Sequence, residues 1–102
     1  MPGFDFDMAF AVDELSAGAA RLFATLGHGW ARRDEGAGAR FAVTLASGHT
    51  VHLHVGPLPP ERQTSAVFAP RALLTAHSDD ASAAEVDVLR QAIIRAFLRV
   101  MG

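Results

Sequence analysis

The sequence predicts a single α+β domain over residues 1–102, an antiparallel sheet of about five strands with a long C-terminal helix packed on one face. Three observations lead there. Apolar residues alternate with polar or small ones in several short runs, which is the period of a half-buried strand. Those runs are separated by Gly, Pro and Ser clusters that break regular structure. The last twenty residues instead repeat apolar positions at helical spacing, behind a Ser82/Glu85 capping box.

Taken in order, Phe4, Phe6, Met8, Phe10 and Val12 alternate with Asp5, Asp7, Ala9 and Ala11, so the first strand is expected from Phe4 to Val12. Asp13 offers an N-cap for a short helix in which Leu15, Ala19, Leu22 and Leu26 share a face beside Phe23, with Gly27 as the stop. Three strands are expected next, at His28–Asp34, Ala39–Ala46 and His49–Val55. Glu35-Gly36-Ala37-Gly38 and a tight Ser47-Gly48 turn separate them.

Gly56-Pro57-Leu58-Pro59-Pro60 reads as a stiff connection outside any ladder, because proline has no amide proton to donate. Thr64 to His77 reads as a strand interrupted at Pro70, which belongs at an edge or a bulge. The final helix runs to Met101 with Val86, Leu89, Ile93, Ala96, Phe97 and Val100 as its core stripe. The order β-α-β-β-β-β-α is similar in topology to the helix-grip and TATA-binding-protein-like folds, in which such a helix lies across a curved antiparallel sheet. No signature residues of those families accompany the likeness, so it implies architecture alone.

Composition narrows the functional classes. The formal charge is −2, with acidic and basic residues interspersed, which provides no general attraction to nucleic acid. All nine basic residues are Arg, a bias expected of GC-rich bacterial coding. Without Cys there is no thiolate chemistry and no disulfide. No apolar run approaches the roughly 20 residues of a membrane span, and no leader is evident, so a cytoplasmic protein is expected.

Candidate site residues are few. His52 and His54 point to one side of their strand and are the only pair placed to begin a ligand or metal site, with His49, His77 or Glu61 as a third group. Neither the spacing to Glu61 nor the chain length fits a cupin, and no bound cofactor or metal is expected. An acid/base pairing of either His with Asp5 or Asp7 is the catalytic alternative. Arg32, Arg33 and Arg40, and Arg90, Arg95 and Arg99, read as solvated faces, and Trp30 as an edge or core packing residue. In the last helix Ile94, Leu98 and Met101 form a second apolar line apart from the core stripe.

Two faces imply two apolar neighbours. A small non-catalytic interaction module, self-associating or joined to another protein through Ile94, Leu98 and Met101, is therefore the first expectation. A helix-grip-type binder of a small apolar ligand comes second, and a metal-dependent or acid/base enzyme using His52 and His54 third.

Overall fold

A computed structural model describes residues 2–62 and 68–101, and their side chains except at 60–62, 68 and 98–101. The elements are β1 (Gly3–Met8), α1 (Val12–Leu26), β2 (Gly29–Glu35), β3 (Gly38–Thr44), β4 (Thr50–Arg62), β5 (Phe68–His77) and α2 (Ala83–Met101). The strands form one antiparallel sheet in the order β1-β5-β4-β3-β2. The α+β class, five strands and a C-terminal helix on the sheet match the sequence expectation.

Strand parity builds the core. Phe41 and Val43 of β3, Val51, Leu53 and Val55 of β4, and Ala72 and Leu74 of β5 are buried on one face. Leu15, Ala19 and Phe23 of α1 and Val86, Leu89, Ile93 and Phe97 of α2 join them in one cluster. The helices also meet each other at Gly18, where an added Cβ would lie 2.8 Å from the Phe97 ring. Ala96, expected in the core stripe, is only half-buried and packs at its margin, and the Val100 side chain lies outside the described residues.

Four local expectations are corrected. β1 ends at Met8 rather than Val12, because Phe10 turns out of the strand and packs edge-on against Phe97, 5.5 Å between ring centres. α1 starts at Val12, so Asp13 is already helical. The Ala11 amide is met instead by the Glu14 carboxylate at 3.4 Å. Leu26, assigned to the core stripe of α1, is 40% exposed, because it is the last residue of the helix, beside the Gly27 stop where the chain leaves for β2.

The fourth correction concerns the proline segment, which joins the ladder after all: Gly56, Pro57 and Leu58 pair with Leu73, Ala72 and Arg71. β3 stops pairing at Val55, so beyond it β4 has a neighbour on one side only, the edge position in which a strand tolerates proline. A register shift between Leu58 and Glu61, opposite Pro70, supplies the expected bulge. The earlier part of that expected strand, 64–67, lies outside the described residues.

Gly27 closes α1 in the left-handed region at φ 75°, and the His28 amide donates back to Phe23 O at 3.0 Å in a Schellman closure. The α2 capping box forms as expected: Ser82 N donates to Glu85 Oε1 and Glu85 N donates to Ser82 Oγ, both at 3.1 Å.

Ile93 has no exposed surface, so Ile93→Ala is expected to cost about 2–5 kcal/mol, read as a lower urea midpoint at unchanged slope. Ser16 is equally buried and its hydroxyl has no hydrogen-bond partner among the described residues. Ser16→Ala should therefore leave stability unchanged or raise it by about 1 kcal/mol in the same titration.

Candidate binding groove and the open sheet face

The helices cover one face of the sheet and leave two surfaces to consider. The first is a groove where the C-terminal end of α1, the β3–β4 turn and one flank of α2 meet. The turn is closed by Leu45 N donating to His49 O at 2.8 Å and Gly48 N to Leu45 O at 2.9 Å, with Gly48 at φ 89°. It presents Ser47 and His49 to the first turn of α2.

Glu85 receives both. Ser47 Oγ donates to Glu85 Oε2, and His49 Nδ1 lies 3.0 Å from Glu85 Oε1. The Ser47 hydroxyl, the Ser82 amide and the His49 ring, in that order, pull the Glu85 carboxyl from an ordinary 4.5 to about 2. A second lash runs beside it, with Thr50 N donating to Asp80 Oδ1 at 3.1 Å and Ser78 Oγ to Thr50 O at 2.6 Å. The Thr50 amide, then the Ser78 hydroxyl, hold the Asp80 carboxyl below its usual range.

Beyond this polar end the groove has a volume of about 470 Å³, within the range of small-molecule and side-chain pockets. Leu45, Leu89 and Ala92 are buried among its lining, while Leu26 at 40% and Val88 at 66% exposure stand on its two rims. His28 and Arg95 line it as well. Arg95 is exposed and has no ion pair among the described residues, unlike Arg90, which is 2.9 Å from Asp87 on the other flank of the helix.

The chemistry of the polar end is that of a clamp. A nucleophile relay needs the hydroxyl on the imidazole and the imidazole on the carboxylate. Here the carboxylate sits between Ser47 and His49, so the imidazole is not placed to take the hydroxyl proton.

The second surface is the uncovered sheet face, which carries His52 and His54. The His52 ring stacks on His77 of the neighbouring strand, 5.4 Å between centres. Among the described residues no group of three or more His, Asp or Glu side chains is placed to hold a metal. Asp5 shares a row with His54, but Thr75 of the intervening strand lies between them, which sets them about 10 Å apart. Asp7 is held by Arg71. His49, the other third-ligand candidate, is engaged by Glu85, and the Glu61 side chain lies outside the described ones.

At the sheet edge Trp30 is 41% exposed and lies 6.0 Å from the Phe41 ring. Arg32 reaches over the same ring at 5.9 Å while pairing with Asp34 at 2.9 Å, and Arg40 pairs with Glu35. On α2, Ile94 is half-buried, and the side chains of Leu98 and Met101 lie outside the described ones. The large apolar side chain that α2 exposes among the described residues is Val88, which sequence reasoning missed. Its flank continues through Ala92 to Arg95, too short and too charged to register as an apolar line. Comparison with protein-family models, curated proteins and solved structures finds no match.

The clamp has a pH signature. Because Glu85 titrates lower in the folded chain than its ordinary 4.5, its contribution is complete above that pH and disappears as the pH falls toward about 2. Glu85→Gln should flatten the loss of thermal stability across that window compared with wild type, followed by circular dichroism; equal acid slopes would show that the clamp contributes nothing.

Proposed function

We propose that the chain is a small non-catalytic binding module whose working surface is the Val88 flank of α2 with the adjoining groove. The observation that carries this reading is the pairing of two exposed apolar rims, Val88 and Leu26, with a groove whose floor is already apolar. A lone exposed valine is ordinary, but Val88 at 66% exposure and Leu26 at 40% flank one apolar-floored groove, and a contiguous apolar patch of that kind is what partners or ligands cover. The polar groups at the rim, the Glu85 clamp and Arg95, give orientation without a reacting pair.

Its volume also favours a second reading, a small apolar ligand seated in the groove between the C-terminal helix and the end of the sheet. A metal-dependent or acid/base activity of His52 and His54 has less support, since their neighbours on the open face are a stacked imidazole, a threonine and Arg40, whose guanidinium already holds the Glu35 carboxylate.

The test uses the apolar dye 8-anilinonaphthalene-1-sulfonate with protein diluted until light scattering shows a monomer, so that the groove is open. Wild type should raise its fluorescence. The double variant Leu26→Glu/Val88→Glu, changed only at exposed positions, should weaken dye binding by about tenfold or more. Monomeric wild-type protein that leaves the dye dark, or a double variant that binds it equally, would remove the groove from consideration.

A further inference from the structure

We propose that the occupant of the groove is a second copy of the chain, docked by antiparallel pairing of the two α2 helices about a two-fold axis at position 90. This rests on the Val88 flank being the working surface and adds its partner and register. Along that flank Glu85, Val88, Ala92 and Arg95 are spaced by three, four and three residues, the spacing with which one helix seam faces another. In a two-fold antiparallel pair each residue meets the one equally far on the other side of the axis.

An axis at position 90 therefore sets Val88 of one copy against Ala92 of the second, and Glu85 against Arg95 of the second, each contact made twice. The charges are self-complementary. Glu85 is fixed by Ser47, Ser82 and His49 and is ionised far below neutral pH. Arg95 is the exposed cation of this flank with no ion pair among the described residues. Ala92 is small enough for the helix axes to approach to about 8 Å, and each Val88 then enters the other copy's groove toward Leu45 and Leu89. An axis at Val88 itself would pair the valines but set Arg95 against Ala81, leaving Arg95 without a counter-charge.

The full chain tests this by light scattering over a range of micromolar concentrations. Wild type should reach twice the 10.8 kDa chain mass. Arg95→Glu should halve it by setting two carboxylates together, whereas Arg33→Glu, on the far edge strand β2, should not change it. The chain has no native Cys, so oxidative cross-linking reports register cleanly. An equimolar mixture of Val88→Cys and Ala92→Cys proteins should form the mixed disulfide, and Val88→Cys alone should not, because its own copy lies too far along the helix. A dimeric Arg95→Glu protein, or efficient cross-linking of Val88→Cys with itself, would overturn the pairing. A wild type that stays monomeric overturns it too: if that monomer still lights the dye, the groove stands as a binding site for something other than its own copy, and if it does not, both readings fail.

Discussion

Glu85 is the residue on which the arrangement turns. Its carboxylate accepts from a turn hydroxyl, from the amide of its own capping residue and from an imidazole, and so ties the β3–β4 hairpin to the start of α2. A helix fixed at its first turn against a hairpin has little freedom to roll. The rotation that results sends Val86, Leu89, Ile93 and Phe97 into the sheet and brings Val88 and Arg95 out along the groove. The same carboxylate thus serves helix initiation, the hairpin's position and the polar end of the groove. Charge-assisted hydrogen bonds are the stronger kind, which suits a contact with three jobs.

The second constraint is area. Two helices cannot cover five strands, and here β2 is left over: apart from Glu35 its residues are exposed on both faces. Trp30 and Arg32 lean back over Phe41 to shield the core where the helices end, and Arg32, Arg33, Asp34 and Glu35 make this edge a poor template for strand addition. Leu26 is exposed for the same reason, since the chain must leave α1 to reach that outlying strand. The groove lies where the helix held by Glu85, the β3–β4 turn and the end of α1 meet.

Much of this was legible in the sequence, because period-two and helical patterns report directly which side of an element is buried. The hairpin at Ser47-Gly48, the Ser82/Glu85 capping box and the stripe from Val86 to Phe97 needed no tertiary information. The extent of β4 did need it: proline is excluded from a strand with two neighbours and tolerated beside one, and only the sheet order reveals that β3 stops at Val55. Phe10 and Leu26 were misassigned because apolar periodicity cannot distinguish packing from a turn, or past an edge, from packing within an element. The site was less visible still. Ser47, His49 and Glu85 lie more than thirty residues apart in part, and nothing in their spacing announces a contact.

The most direct measurement of the central claim, that the Val88 flank of α2 receives a second copy, is an isotope-filtered methyl NMR experiment on mixed-labelled protein. Intermolecular cross-peaks between the Val88 methyls of one copy and the Ala92 methyl of the other are the expected result. Their absence in a sample that is nonetheless dimeric, with intermolecular contacts found instead on the uncovered face around His52 and His77, would contradict it.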